Sequence, residues 1–268
     1  MPATAMRPLS QWPLAARRKI IGVFTDIDDT LTTDGAITPQ ALYALGQLKA
    51  TGYQVVAITG RPVGWSLPFA ANWPVDCIVA ENGSVALVRE GMQLKRLYLQ
   101  DEAVRRHNVS RMQSVARRIL REVPQARLAQ DSPGRETDIA IDHSEFVQLP
   151  EKAIRQTVAI MRSEGMSATV SSIHINGWFG THNKLVGAHW VVEQLLERRL
   201  EDEMDCWTSV GDSTNDQLMF AAFANSVAVA NVRRFVPALT SLPRYVTPSE
   251  RGTGFAEVVS ALLAARRK

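Results

Sequence analysis

The chain contains 268 residues, 46% of them hydrophobic, so it can bury the core of one large domain or of two smaller ones. Its net charge of +3 admits an acidic partner, but the arginines between Glu102 and Val123 gather on one face of a predicted helix without interleaved aromatic residues, which is typical of a solvated surface. Because no segment approaches the ~20 apolar residues of a membrane span, and Cys77 and Cys206 each begin an apolar run, we predict a cytoplasmic protein with buried, reduced thiols and neither a nucleic-acid nor a membrane partner.

The N-terminal part of the sequence predicts a βαβ unit. An apolar run over residues 20–24 stops abruptly before Asp26, as a buried strand does when its end reaches a polar site. A helix is expected next, with Thr38 as its N-cap and Pro39 at its first position, followed by a second buried strand over residues 55–58. This order implies parallel strands joined by a right-handed crossover.

Further apolar runs show the same pattern, and each is followed by polar residues. The runs cover residues 77–80, 206–210 and 227–230, and the polar residues that follow them are Glu81, Asn82, Asp212 and Asn231. In open α/β sheets, ligands bind beyond the carboxyl ends of the strands. We therefore expect these endings to meet in one crevice.

The middle of the chain has a different character. Its strands alternate apolar and polar residues, as in residues 137–141, which fits a sheet with one exposed face. We predict an α/β fold in which residues 1–84 and 180–268 form a Rossmann-like, parallel-sheet core domain. Residues 85–179 would form an inserted α+β domain with a hairpin around Gly91.

The first chemical motif is the run Asp26-Ile27-Asp28-Asp29-Thr30. Three carboxylates in four positions repel one another in a compact loop, so a hard cation is the simplest way to make the arrangement tolerable. An acidic triplet taken alone is more often a solvated turn or a helix N-cap.

Two further elements could bind phosphoryl oxygens. The run Thr59-Gly60-Arg61 ends the second strand with a hydroxyl, a flexible glycine and a guanidinium, although a plain strand-to-loop turn would look the same. Lys184 begins a predicted helix, whose N-terminus already favours anions, although most single lysines are simply solvated.

The last motif is Gly211-Asp212-Ser213-Thr214-Asn215-Asp216. Asp212 leaves the strand end and Asp216 follows about one helical turn later, so both carboxylates can face the crevice while Asn215 orients one of them. The alternative is an ordinary Gly-Asp turn.

Together, the four motifs resemble the signature of the haloacid dehalogenase superfamily, namely DxDxT, a Thr or Ser strand end, Lys and GDxxND. The stretches FTDIDDTL, AITGRP, ENGS and GDSTNDQLM resemble its Cof-like and sucrose-phosphate-phosphatase-like branch, which carries a C2-type cap between the second and third motifs. The resemblance covers roughly residues 18–84 and 180–262, and the cap matches in position and type more than in sequence.

The resemblance implies a magnesium-dependent phosphatase that acts on a small phosphorylated metabolite, such as a sugar phosphate. Asp26 would be the nucleophile that forms an aspartyl-phosphate, Asp28 the general acid and base, and Thr59 and Lys184 the groups that stabilise the transferring phosphoryl group. The implied Mg²⁺ ligands are Asp26, the backbone carbonyl of Asp28, Asp212 and Asp216. The implied phosphate or substrate contacts are Thr59, Gly60, Arg61, Asn82, Lys184 and Asn215.

Three other functions fit parts of the pattern. A sugar phosphomutase shares the aspartyl-phosphate but must hold a bisphosphate intermediate and exclude water. A non-catalytic phospholigand sensor has no need of both a nucleophile and an acid. A metal-dependent glycosyltransferase also uses an Asp-x-Asp pair, but it gives no reason for the later lysine and GDxxND elements.

The expected substrate contacts in the cap are less sharply indicated. In the strand around Ser172 to Asn176, a period of two places His174 and Asn176 on the polar face, which would look down on the crevice. Arg135, in the loop before the strand that carries Asp138, is a further candidate. The alternative is that these side chains meet only solvent.

Overall fold

The computed structural model describes residues 6–266, which form two sheets packed with helices, and a short two-stranded ribbon. The strands are β1 Arg7–Pro8, β2 Gly22–Thr25, β3 Thr32–Thr33, β4 Ala36–Ile37, β5 Gln54–Ile58, β6 Cys77–Ala80, β7 Val85–Glu90, β8 Gln93–Tyr98, β9 Arg127–Leu128, β10 Ile139–Asp142, β11 Ser167–Val170, β12 His174–Trp178, β13 Trp207–Gly211, β14 Val227–Ala228 and β15 Tyr245–Val246. The α-helices are α1 Leu14–Lys19, α2 Pro39–Ala50, α3 Val63–Asn72, α4 Glu102–Glu122, α5 Glu151–Ser163, α6 Lys184–Leu196, α7 Gln217–Ala222 and α8 Arg251–Arg266.

The large sheet has nine strands in the order β1-β15-β14-β13-β2-β5-β6-β7-β8. Every pairing from β1 to β6 is parallel, whereas β7 and β8 add an antiparallel hairpin at one edge. The predicted α/β class with a parallel-sheet core and an inserted α+β unit is confirmed.

Alternate side chains of the central strands enter two different hydrophobic cores. Val23 and Val55 face a layer that contains α2, α3 and α8, whereas Phe24 and Val56 face α6 and α7. Such continuous apolar runs, buried on both faces, are typical of parallel strands. The helix α2 begins as the sequence predicts, because the Thr38 hydroxyl accepts a hydrogen bond from the Ala41 N–H at 3.1 Å.

The strand order brings the chemical motifs together. Strands β13, β2 and β5 are neighbours at the centre of the sheet, and Thr25 pairs with both Val210 and Ala57. Because all three strands run in the same direction, Asp26, Thr59 and Asp212 emerge side by side at their carboxyl ends.

The smaller sheet is antiparallel, in the order β11-β12-β10-β9, and shares a hydrophobic core with α4 and α5. The hairpin β7–β8 pairs with β6 and not with this sheet, which differs from the predicted division at residue 85. We therefore propose that the inserted cap begins after Tyr98 and ends near residue 180.

Other differences from the sequence-based expectations are small. Cys77 is buried as predicted, whereas Cys206 precedes its strand and is partly exposed, so the expectation of two buried thiols is wrong for Cys206. Within residues 6–266, no helix combines the length and the apolar composition needed to cross a membrane.

The N-terminus of α6 is held against the turn after β6 by two glycines. Gly83 has a φ of +108°, and a Cβ placed there would lie 2.3 Å from the carbonyl oxygen of Asn183 and 3.3 Å from the Cα of Gly187. Asn183 caps α6, since its side-chain oxygen accepts from the Leu185 and Val186 N–H groups at 3.0 Å. This close backbone approach fixes the position of Lys184, the first residue of the helix.

We predict that Gly83→Ala lowers the free energy of unfolding by about 3 kcal/mol, because the added methyl group meets fixed backbone and the residue keeps a left-handed conformation. Gly46→Ala is the control, since Gly46 lies in α2 and a Cβ added there would meet open space. This substitution should stabilise the helix by about 0.5–1 kcal/mol. Urea denaturation measures both changes, and equal stability of Gly83→Ala and the parent protein would contradict the packing described.

Candidate active site

The centre of the site is a buried lysine between two carboxylates. Lys184 Nζ lies 2.8 Å from Asp26 Oδ1 and 2.8 Å from Asp216 Oδ1, and all three side chains are at most 5% exposed. Asp26 is fixed from the other side by its own backbone, because its N–H donates to the Val210 carbonyl at 2.9 Å. Lys184 belongs to α6, whereas Asp26 follows β2, so the lysine reaches the nucleophile candidate from a different element of the fold.

A third carboxylate completes this group. Oxygen atoms of Asp26, Asp212 and Asp216 lie within 4.8 Å of one another, and all three residues are buried. Asp216 Oδ2 accepts hydrogen bonds from the backbone N–H groups of Asp212 at 3.0 Å and Ser213 at 3.2 Å. Within the described part of the chain, Asp212 Oδ1 is buried without a hydrogen-bond partner. The buried cluster thus contains one lysine and three carboxyl groups.

The charge balance of this group is visible in its pKa values. Burial raises the pKa of Asp26 to about 7, with Lys184 opposing the shift and Asp216 adding to it. Burial and the nearby Asp26 and Asp216 carboxylates raise the pKa of Asp212 well above its usual value. Burial alone would lower the pKa of Lys184, but Asp216 and Asp26 more than offset it and raise that pKa. Among the described residues, Lys184 alone therefore does not balance the charge of this carboxylate cluster.

A hard divalent cation fits this donor set. Carboxylate oxygens are the preferred ligands of Mg²⁺, and the buried, unpartnered Oδ1 of Asp212 supplies a free acceptor beside Asp26. A positive ion among the three carboxylates would offset the repulsion between them. Three of the predicted metal ligands, Asp26, Asp212 and Asp216, therefore form an acidic cluster, and the binding of Mg²⁺ itself stays a prediction.

Asn231, after β14, orients the Asp212 carboxylate. Its side-chain N–H group donates to Asp212 Oδ2 at 3.0 Å and to the Asp29 carbonyl at 3.0 Å. The sequence predicted this role for Asn215, but the Asn215 side chain accepts instead from the Ser213 hydroxyl at 2.9 Å. That part of the prediction is wrong, because the orienting amide comes from the neighbouring strand and not from the same turn.

Asp28 does not stand free in the crevice. Arg61 Nε lies 3.0 Å from both Asp28 oxygens, and Arg61 Nη2 lies 2.9 Å from Asp28 Oδ1. The same guanidinium reaches two cap residues, because Nη2 donates to Glu145 Oε1 at 2.6 Å and Nη1 donates to Asp131 Oδ2 at 3.2 Å. Arg61 therefore connects the acid candidate of the core directly to the cap.

The loop after β5 lies under the cap. Thr59 is fully buried, and its hydroxyl accepts a hydrogen bond from the Arg61 N–H at 3.0 Å. Asn82 lies beside Gly60, with its amide nitrogen buried and unpartnered among the described residues. A Cβ at position 60 would lie 3.3 Å from the side-chain oxygens of Asn82 and Asn176, so a larger residue there would press on both side chains.

Of the cap residues predicted to face the crevice, Asn176 and Arg135 contact the core, whereas His174 contacts other cap residues. Asn176 donates to the Gly60 carbonyl at 3.3 Å and to Asp138 Oδ2 at 3.0 Å. Arg135 donates to the same Gly60 carbonyl at 3.0 Å and to Asp138 Oδ1 at 2.8 Å. His174 Nε2 lies 2.8 Å from Glu145 Oε2. These side chains are buried between the two sheets and do not meet solvent.

Glu81 joins the cap to the core at one point. Its carboxylate accepts from the backbone N–H groups of Val63 at 3.1 Å, Glu136 at 2.9 Å and Thr137 at 2.5 Å, and also from the Thr137 hydroxyl. Burial, followed by the nearby Asp138, raises the pKa of Glu81 to about 7, while Thr137 opposes the shift. The sequence shows Glu81 only as a residue at a strand end, and no local pattern in it marks this junction.

Comparison with known proteins gives consistent matches. The family model described as haloacid dehalogenase-like hydrolase matches residues 23–111. A protein of Streptococcus pyogenes serotype M6, named only as a candidate phosphatase, is 24% identical over 263 residues, with coverage of 88% of this chain and 96% of that protein.

Two solved structures share the fold. A Thermoplasma acidophilum protein aligns with a TM-score of 0.70 at 15% identity, over 91% of this chain and 98% of its own. The sucrose-phosphatase of Synechocystis, solved with sucrose and phosphate, aligns with a TM-score of 0.65 at 17% identity, over 90% of this chain and 97% of its own. Together with the family match over residues 23–111 and the four motifs gathered at one sheet edge, these likenesses make the chain similar to the haloacid dehalogenase-like hydrolases.

Proposed function

We propose that this phosphatase-type hydrolase is magnesium-dependent and cleaves the phosphate monoester of a small metabolite, such as a sugar phosphate, through an aspartyl-phosphate. The observation that carries the proposal is the position of Asp26, buried at the end of a central strand between Lys184 and a carboxylate pair. The sucrose-phosphatase fold likeness supports a small phosphorylated sugar as the substrate class.

The first step joins Asp26 to phosphorus. Asp26 Oδ1 already accepts from the Ile27 N–H at 2.8 Å and contacts Lys184, so we assign the attack to Oδ2. A new Oδ2–P bond forms as the ester P–O bond breaks, and Asp28 in its protonated form gives a proton to the departing alkoxide. Lys184 and Thr59 are the groups that would stabilise charge on the transferring phosphoryl oxygens.

The second step returns the enzyme to its starting state. Asp28 removes a proton from water, the resulting hydroxide attacks phosphorus, and the Asp26–phosphorus bond breaks to release inorganic phosphate. Arg61 donates to both Asp28 oxygens, so it fixes the orientation of that side chain in the crevice. A bound Mg²⁺, held by Asp26, Asp212, Asp216 and the Asp28 carbonyl, would supply neutralisation of phosphate charge.

We expect Mg²⁺ to stabilise the protein as well as to activate it. EDTA should abolish phosphate release from an aryl phosphate, and Mg²⁺ should restore it. The reason is that the negative charge of the Asp26, Asp212 and Asp216 cluster is not balanced without a cation. At a hundred-fold excess over its Kd, the ion should add about 2.7 kcal/mol to the free energy of unfolding. Thermal denaturation with and without Mg²⁺ measures this gain in stability independently of activity.

Asp212→Asn and Asp202→Asn form a matched pair for this test. Asp212→Asn should remove the Mg²⁺-induced shift in Tm, whereas Asp202→Asn should keep it, since the Asp202 side chain is 70% exposed and distant from the cluster in the fold. Full activity of a thoroughly chelated sample, or an unchanged shift in Asp212→Asn, would refute the metal assignment.

The nucleophile is tested with two further substitutions. Asp26→Asn should lower kcat by roughly three orders of magnitude while preserving the fold, because the amide is nearly isosteric but cannot attack phosphorus. Asp28→Asn should still accept phosphate from an aryl ester, whose leaving group needs no proton, but should release it slowly. Intact-protein mass spectrometry should therefore detect a phosphoryl adduct in Asp28→Asn and none in Asp26→Asn.

Release of free phosphate from the parent enzyme also separates this reaction from a phosphomutase, which transfers the group to another site on its substrate. An Asp26→Asn protein that turns over at the parent rate would end the proposed mechanism. The exposed Asp202→Asn again serves as the control for the loss of a carboxylate elsewhere.

A further inference from the structure

A cavity of about 410 Å³ opens between the core and the cap beside Asp28. Its volume lies within the range of small-molecule sites, and its position next to the proposed acid makes it the place for the group that leaves with the ester oxygen. Its charged lining consists of Asp28, Asp29, Asp34, Glu145, Arg61 and Arg251.

Both arginines of this lining are already paired. Arg61 contacts Asp28 at 2.9 Å and Glu145 at 2.6 Å, and Arg251 contacts Asp29 at 3.1 Å and Asp34 at 2.8 Å. Four carboxyl groups therefore face two guanidinium groups, so the formal charge of the lining is −2 when all four are ionised and −1 while Asp28 is protonated as the general acid. A second anionic group on the substrate would find no unpaired cation in this lining and would have to separate an existing ion pair.

Glu145 is the cap's contribution to that negative charge, and its position is fixed from two sides. Its own N–H donates to Asp142 Oδ1 at 2.9 Å, and the next N–H, from Phe146, donates to Asp142 Oδ2 at 3.0 Å. Its carboxylate is then held by Arg61 and by His174 at 2.8 Å. Although burial opposes the shift, hydrogen bonds from His174 and Arg61 lower the pKa of Glu145 to about 2, so it is ionised at neutral pH.

From this lining we infer that Glu145 is a specificity-determining residue, and that the cavity selects neutral, polyhydroxylated leaving groups and rejects those that carry a carboxylate or a second phosphate. The inference rests on the proposed phosphatase function and narrows its substrate class. Hydroxyl groups can donate to carboxylate oxygens that still have a lone pair, whereas an added anion meets uncompensated like charge.

Two apolar side chains of the cap complete the match to a sugar or polyol. Phe146, which is 62% exposed, and Ile173 line the same cavity. They offer surfaces against which the C–H groups of such a leaving group can pack, while its hydroxyls face the carboxylates.

The test uses two phosphate esters that share a six-carbon skeleton and differ at one end. Sorbitol 6-phosphate carries a hydroxymethyl group where 6-phosphogluconate carries a carboxylate. For the parent enzyme with Mg²⁺, we expect kcat/KM, or 1/Ki against aryl phosphate hydrolysis where turnover is slow, to favour sorbitol 6-phosphate by about ten-fold or more.

Glu145→Gln should reduce this preference about five-fold, since it removes one negative charge while retaining the shape of the side chain. Glu164→Gln is the matched control, because Glu164 lies on the outer surface of the cap, paired with Arg118, and should leave the preference unchanged. Equal constants for the two esters, a preference that survives in Glu145→Gln, or failure of sorbitol 6-phosphate to compete would each overturn the inference.

The outcome also separates this inference from the function on which it rests. If the parent enzyme with Mg²⁺ does not hydrolyse the aryl phosphate, the proposed phosphatase function itself fails. If it hydrolyses the aryl phosphate but treats the two hexose-derived esters alike, only the selectivity of the cavity is refuted.

Discussion

Repulsion among Asp26, Asp212 and Asp216 is the constraint on which the rest of the site depends. One buried lysine is grouped with three buried carboxyl groups, so the fold has to place Lys184 accurately. The close approach of Gly83 to α6 supplies that accuracy, because a helix displaced by one side chain would move the ammonium group away from both partners. Packing at the glycine contact and chemistry at the strand ends are therefore coupled.

Sequence alone predicted the core of the site because its signals are local. An apolar run that stops at a carboxylate marks the end of a buried strand, and parallel strands end at the same edge. The role of Asn231 could not be found in this way, since it depends on β14 lying next to β13 in the sheet. A neighbouring Asn215 within the same turn was the nearer candidate in sequence, but its side chain bonds to Ser213.

The cap was harder to predict for a related reason. Alternation of apolar and polar residues shows that a strand has one buried face, but not to which sheet the strand belongs, so the sequence places the hairpin β7–β8 in the cap, whereas it belongs to the large sheet. Glu145 lies in a loop with no periodic pattern, and its partner Arg61 is 84 positions away in the chain. The polar face of β12 was predictable, because a period of two separates His174 and Asn176 from Ile175.

The Glu81 junction has a consequence for how such a protein can change over evolution. Two of the three cap groups that donate to Glu81 are main-chain N–H groups, those of Glu136 and Thr137, which every residue except proline possesses. The attachment therefore places few demands on the side chains of the cap, in contrast to the dense side-chain network around Arg61. During evolution, the side chains of the cap can therefore change and give the enzyme a new substrate, while the hydrogen bonds of Glu81 keep the cap attached to the large sheet.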